Sequence, residues 1–362
     1  MEKRHSMKFL YPLLLLVPLA LVLEFGEIGG APLLFVVSGL ALVPLAAVLG
    51  QATETVAVYT GPRIGALLNA TFGNAAELII TIVALREGLV TVVKASIAGS
   101  IIGNILIVLG ASALLGGLKH GTQRFNAQHA GTNASLMALA VVALAIPAVF
   151  ALGEPQHRPT DQDIERLSEG VAVVLIVVYA LYLVFSLRGG HTPDTTIGEE
   201  EAEHETGGWA SSLPMALGLL AGSTVAIVVL SEILVGVIEP TAESWGLSDL
   251  FVGVMLVPLV GNVAEHLVAV QAAYKNQMDL SLGIAVGSGL QIALFVTPVL
   301  VFAGVLLGNE LTLVFNSFEL AALAAATVIA VLISVDGESN WLEGVMLIAV
   351  YAIIGVAFFF VP

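Results

Sequence analysis

Long apolar runs recur along nearly the whole chain, each closed by a short polar or charged stretch. None keeps the two-residue alternation of a half-buried strand. Their lengths suit helices that cross a bilayer, which needs about 20 mostly apolar residues. Eleven such spans are expected, near residues 9–23, 31–50, 66–85, 90–117, 131–152, 169–187, 212–237, 250–273, 281–307, 317–334 and 341–361. The pattern predicts an all-α polytopic membrane protein. The first run follows Lys3, Arg4 and Lys8 and also has the form of a signal peptide, but no small-x-small cleavage site comes after it.

Two of these runs contain a carboxylate in nearly the same setting. Gly73-Asn74-Ala75-Ala76-Glu77 returns in the second half of the chain as Gly261-Asn262-Val263-Ala264-Glu265. Setting Gly73 against Gly261 defines a register between the halves. Followed without a gap, it brings Ala84 to Ala272 and Gly99-Ser100 to Gly287-Ser288. Apolar composition supplies matching alanines easily, but not Gly-Asn, Glu and Gly-Ser together. The chain is therefore expected to divide into an N-terminal helix and loop (1–30), a five-helix unit (31–187), an acidic connector (188–211) and a second five-helix unit (212–362). An odd number of spans per unit threads the second unit through the membrane in the opposite sense. Such inverted repeats are common in secondary transporters, whose sites lie near the midplane between the halves.

Charge fixes a sidedness. With eleven crossings and the N-terminus inside, Lys3, Arg4, Lys8, Arg63, Lys119, Arg124, Arg188 and Lys275 fall on the cytoplasmic side. Arg86, Lys94, Arg158 and Arg166 fall on or near the other, and the C-terminus ends outside. Eight against four agrees with the positive-inside rule. Only 11% of the residues are charged and 58% are hydrophobic, where a soluble domain carries roughly 25% charged residues. The net charge of −16 sits in clusters such as Glu199, Glu200, Glu201, Glu203 and Glu205, so nucleic acid is not an expected partner. This acidic connector reads as a solvated linker, with Ca²⁺ sensing as the alternative. There is no cysteine, which excludes disulfides, thiol nucleophiles and Cys-based metal sites.

Glu77 falls between Arg63 and Arg86, and Glu265 between Asp249 and Lys275, each somewhat nearer the second charge. Each is thus close to mid-span, where an unpaired charge costs about 2.5–3.5 kcal/mol or more. A buried, protonated, hydrogen-bonded carboxyl is the structural alternative for either one alone; the matched pair favours function. The Gly-Asn before each Glu is expected to break the helix locally and free carbonyl oxygens beside the carboxylate, or else to serve as a packing notch. Ser100 and Asn104 share one helix face, as do Ser288 and Gln291, and Gly99 with Gly103 forms a GxxxG that permits close approach. These polar faces either line a site or join helices without a ligand.

The expected donor set is two carboxylates, amide and hydroxyl oxygens and freed carbonyls. Hard oxygens suit Ca²⁺, with Mn²⁺ as the alternative and Mg²⁺ less favoured. Two acids buried side by side disfavour joint ionisation, so protons compete with the cation for the same seat. His266 points about 100° away from Glu265 around the helix; it either tunes protonation or is simply hydrogen-bonded. Glu232 is read as facing an aqueous vestibule, or else as serving an ion or proton route, and Glu319 as meeting a helix N-terminus.

The stretches "GNAAELIITIVAL" with "GSIIGNILIVLG", and "GNVAEHLVAV" with "GSGLQIALFVTPV", resemble the two signature repeats of the cation/proton exchanger family, the H⁺-coupled Ca²⁺ branch of the calcium/cation antiporter superfamily. The resemblance covers nearly the whole chain. It implies a transporter, not an enzyme, that exchanges Ca²⁺ for H⁺ across the bilayer, with Glu77 and Glu265 binding Ca²⁺ and protons alternately. It implies that Asn74, Asn262, Ser100, Asn104, Ser288 and Gln291 surround that site and that spans 2 and 7 move as gates. The absence of a long N-terminal extension suggests a prokaryotic cytoplasmic membrane. Competing readings are a Na⁺-coupled or broad divalent exchanger, a cation channel and an intramembrane enzyme. The last lacks the HExxH spacing at Glu265-His266.

Overall fold

A computed structural model describes residues 8–153, 158–188 and 212–361. Lys3, Arg4, the acidic run 199–205 and most of the connector expected at 188–211 lie outside the described residues.

The described chain is mainly helical, with short connecting turns, an extended stretch at 309–316 and one two-residue strand pair. In order, the helices are α1 (Leu16–Phe25), α2 (Gly30–Thr60), α3 (Pro62–Phe72), α4 (Ala75–Arg86), α5 (Val90–His120), α6 (Ala127–Leu152), α7 (Asp161–Arg188) and α8 (Leu213–Gly236). They continue as α9 (Ile238–Trp245), α10 (Asp249–Tyr274), α11 (Met278–Leu307), α12 (Ser317–Ile333) and α13 (Trp341–Phe359). The strands β1 (Gln123–Arg124) and β2 (Glu338–Ser339) pair antiparallel.

Eight of these helices are long and apolar enough to cross a membrane. Their outward faces carry large apolar side chains, among them Val142, Val149, Leu181, Phe185, Ile353 and Val356, as contact with lipid requires. Three expected spans differ from this pattern. Leu10–Phe25 and Ser317–Ile333 are shorter. The span expected at 66–85 is two helices, because the chain turns at Gly73-Asn74 between α3 and α4. The span expected at 31–50 runs on to Thr60 and stops only at Gly61, at φ 84°, followed by Pro62. A left-handed glycine ends a helix and proline opens the next, because each suits the backbone required there.

The register between the halves extends into the backbone. α5 and α11 each contain a π-helical turn, Asn104–Val108 and Ile292–Val296, and the two turns coincide in that register. The turns leaving α4 and α10 place Gly88 (φ 81°) and Asn276 (φ 63°) in the left-handed region at matching positions. Packing is crosswise: α2 lies on α10, α8 on α4, the second part of α5 on α10, and the second part of α11 on α4. Ile97, Ile101, Ile102 and Ile105 of α5 are fully buried at the centre, with Leu290, Ala293 and Leu294 of α11. Gly99 lets α5 approach the π turn Val252–Leu256 of α10; a Cβ there would overlap the Val254 carbonyl. Gly103 meets nothing comparable, so only the first glycine of the expected GxxxG is a contact.

Candidate cation site

Glu77 sits in the first turn of α4, just after the break, and Glu265 in the middle of α10. The expected break at Gly261-Asn262 is absent: α10 runs unbroken from Val257 to Tyr274. The two Gly-Asn pairs differ because their asparagines bond differently. Asn74 starts α4 without capping it by its side chain, which instead turns towards α11. Asn262 stays in regular helix and sends its amide across to the other half.

Of the eight polar residues expected around the site, seven join two hydrogen-bonded groups and Glu265 borders the second. In the first, Glu77 Oε1 accepts from Ser100 Oγ at 2.6 Å and from Asn262 Nδ2, and the same Asn262 amide reaches Ser100 Oγ at 3.3 Å. In the second, Asn74 Nδ2 donates to Gln291 Oε1 at 2.5 Å and Ser288 Oγ donates to Asn74 Oδ1 at 3.1 Å. Asn104 Nδ2 donates to Ser288 Oγ at 3.1 Å, and Glu265 borders this group at Gly73, where its Oε1 and Gln291 Oε1 are both near neighbours. His266 Nε2 lies 3.1 Å from Asn104 Oδ1. An amide oxygen only accepts, so Nε2 is the protonated nitrogen in this arrangement. His266 thus joins the network through Asn104, a connection that the sequence reading did not identify. A signal was present: Asn104 aligns with Ile292, so only one half carries an amide there.

Each carboxylate side chain lies beside the other half's glycine. The nearest neighbours of Gly261 are atoms of the Glu77 side chain, and Glu265 Oε1 lies close to Gly73. Asn74, Ser100, Asn104, Asn262 and Ser288 are buried, as is Glu77 at 6% exposure, while Glu265, His266 and Gln291 are half-buried. One oxygen of each carboxylate, Glu77 Oε2 and Glu265 Oε2, is buried without a hydrogen-bond partner. Buried carboxylate oxygens normally have one. Two orphaned carboxylate oxygens, with amide and hydroxyl groups in the same region, fit a hard cation, or protons in its place. Among the described residues no cluster of three His, Cys, Asp or Glu side chains forms, so the amides and hydroxyls complete any such shell.

Glu232 and Glu319 lie elsewhere. Glu232 on α8 accepts from Arg86 Nη1 at 3.1 Å, with both side chains about half exposed. Glu319 is buried in the first turn of α12 and forms a capping box with Asn316, as its expected place at a helix N-terminus requires.

A family model described as "Sodium/calcium exchanger protein" matches residues 30–188 and 215–360. A Ca²⁺/H⁺ antiporter of Aphanothece halophytica is 46% identical over 97% of this chain and 96% of its own. A Ca²⁺/H⁺ antiporter of Synechocystis sp. is 47% identical over 92% of each. The solved structure of native YfkE superposes with a TM-score of 0.83 at 38% identity, covering 97% of this chain and all of that one.

Proposed function

From the chain's membership of the sodium/calcium exchanger family, in its Ca²⁺/H⁺ antiporter branch, we propose that it exchanges Ca²⁺ for H⁺ across a cell membrane by alternating access, Glu77 and Glu265 taking Ca²⁺ or protons in turn. It is a multi-pass membrane protein of a transporter family and not an enzyme. The observation that carries the mechanism is the pair of buried, unpartnered oxygens, Glu77 Oε2 and Glu265 Oε2, beside two polar groups that each draw residues from both halves.

In this reading two carboxylates balance one divalent charge, and the site leaves the membrane interior either as the calcium form or as the protonated form. The empty, doubly charged form is held back by its desolvation cost. Asn74, Asn262, Ser100, Asn104, Ser288 and Gln291 supply or orient the remaining oxygens, and His266 holds Asn104. The eleven crossings are completed by Leu10–Phe25, the α3–α4 pair and Ser317–Ile333. The N-terminus is inside, the C-terminus outside, and the five-helix units are inverted copies. Crosswise packing and the coincidence of the two π turns in register support that symmetry. α2 and α8, which pack on α10 and α4, are the moving gates.

The test is purified protein in vesicles with an imposed pH gradient and no Na⁺. Ca²⁺ uptake that collapses with the gradient, accompanied by proton movement in the opposite direction, supports the proposal. Uptake only when a Na⁺ gradient is imposed would replace it with a Na⁺-coupled exchanger. Equal uptake of Mn²⁺ would broaden the cargo.

A further inference from the structure

We propose that Asn309 and Gln123 are positioning residues for the two carboxylates, each belonging to one half and holding the glutamate-bearing helix of the other at a fixed height. The proposal rests on the functional reading above and adds to the site two residues that lie outside it.

α4 carries Glu77 and ends at Arg86. Asn309, in the extended segment after α11, donates its Nδ2 to the Leu85 carbonyl at 2.8 Å and to the Arg86 carbonyl at 3.1 Å. α10 carries Glu265 and ends at Tyr274. Gln123, in the segment after α5, donates its Nε2 to the Ala273 carbonyl at 2.8 Å and to Asn276 Oδ1 at 3.0 Å. The Tyr274 carbonyl is met by Lys119 Nζ at 3.0 Å and by His120 Nε2 at 2.9 Å. Leu85 and Ala273 are register mates, and so are Arg86 and Tyr274. Both amides therefore serve the same carbonyl, at the same distance along the chain beyond the glutamate in each half. Both carbonyls also accept a backbone N–H of the turn that follows, Leu85 from Gly88 at 3.1 Å and Ala273 from Asn276 at 2.9 Å, so each amide adds a side-chain donor from the other half at a helix end, where intrahelical donors run out.

The two caps are not copies of one ancestral residue. Asn309 aligns with Gly121, and Gln123 aligns with Leu311. Different residues on differently built segments reach equivalent carbonyls, which points to a requirement at the carbonyls rather than to inheritance by duplication. Room for both segments comes from a glycine at one shared position. A Cβ on Gly116 would overlap Gln123 Oε1, and a Cβ on its register mate Gly304 would lie 2.7 Å from the Asn309 carbonyl oxygen.

Each capping segment is pinned in turn. Lys94 Nζ donates to Thr312 Oγ1 at 3.0 Å and to the Val314 carbonyl at 3.2 Å, while Ser168 Oγ accepts from Leu313 N at 3.0 Å. On the other side, β1 pairs with β2, and the Asn126 amide donates to Asp279 Oδ1 at 2.6 Å. Each glutamate helix is thereby capped by a segment of the opposite half that is itself fastened to the glutamate's own half.

The test uses Asn309→Asp, which keeps the shape but replaces the donor by an acceptor, and Gln123→Leu at the other helix end. The chain has no cysteine, so Glu87→Cys and Lys275→Cys, just beyond the matched ends of α4 and α10, accept spin labels without background. Pulsed electron resonance is expected to give a narrow label-to-label distance in the parent and a shifted or broadened one in each cap variant. Half-saturating Ca²⁺ for exchange is expected to rise about tenfold in each, in line with other residues that orient metal ligands. Asn309→His, which retains a donor, is expected to recover part of both. An unchanged distance distribution, or a changed one with unaltered half-saturating Ca²⁺, overturns the proposal. So does failure of both variants to fold, which would make the caps fold determinants only. The spin-label distances need no transport, so a parent protein that moves no Ca²⁺ counts against the functional reading while the distances still judge the positioning of the helices.

Discussion

The side chain of Glu77 lies directly against the backbone of Gly261: a Cβ at that glycine would stand 2.8 Å from Glu77 Cγ. That is closer than carbon atoms tolerate, and Cγ is near the root of the side chain, so the glutamate would have to move. Gly261→Ala is expected to leave α10 intact, since alanine favours helix. Ca²⁺ exchange is expected to fall by about a hundredfold, the scale of a ~1 Å misplacement. Vesicle uptake beside the helical circular dichroism signal checks both halves of the expectation.

Replacing either carboxyl by its amide tests the shared seat. Glu77→Gln retains an oxygen able to accept from Ser100 and Asn262 but loses the charge and the exchangeable proton. Glu77→Gln and Glu265→Gln are each expected to reduce Ca²⁺ uptake and coupled proton release to background while the protein elutes as a folded species. Retention of one flux without the other in either variant would separate the calcium seat from the proton seat. In the parent, half-saturating Ca²⁺ is expected to rise as pH falls, because protons must leave the carboxylates before the cation enters.

Ser288 is the hydroxyl on which the second group depends, accepting from Asn104 and donating to Asn74. Ser288→Ala deprives two buried amides of a partner at once. The expected loss of stability is about 1–3 kcal/mol, the cost of leaving buried polar groups unsatisfied. Denaturant titration in micelles measures it, and an unchanged midpoint would mean that the asparagines find new partners.

Glu232 is expected to behave differently from the central pair. Its bond to Arg86 is half exposed and open to screening by salt. Glu232→Gln is expected to keep half-saturating Ca²⁺ within about twofold of the parent, as exposed ion pairs contribute little. Abolished transport in this variant would restore Glu232 as part of an ion or proton route.

The hydrophobic pattern made the membrane class legible, and the Gly-Asn-x-x-Glu repeat identified the residues that the fold gathers. Their bonding was not legible. A repeat implies two equal settings, yet Asn74 stands at a helix break and Asn262 in regular helix. That difference is set by tertiary partners: Asn74 is drawn to Gln291 and Ser288, whereas Asn262 is drawn to Glu77. Hydropathy alone ran one span through Gly73-Asn74, because the residues on both sides are apolar enough to continue it, but the Gly-Asn pair itself pointed to the break that is found there. Asn309 and Gln123 were invisible for a further reason. They occupy segments between spans, do not align with each other, and matter only because the fold brings them to matching carbonyls.

The crosswise contacts bear on how the chain is made. When the first half has left the ribosome, Glu77 has Ser100 but neither Asn262 nor the hollow above Gly261, and the end of α4 still awaits Asn309. Membrane insertion must therefore run well ahead of final assembly, with an acidic side chain provisionally housed until synthesis is complete. Two separately expressed halves would be able to mature only in each other's company.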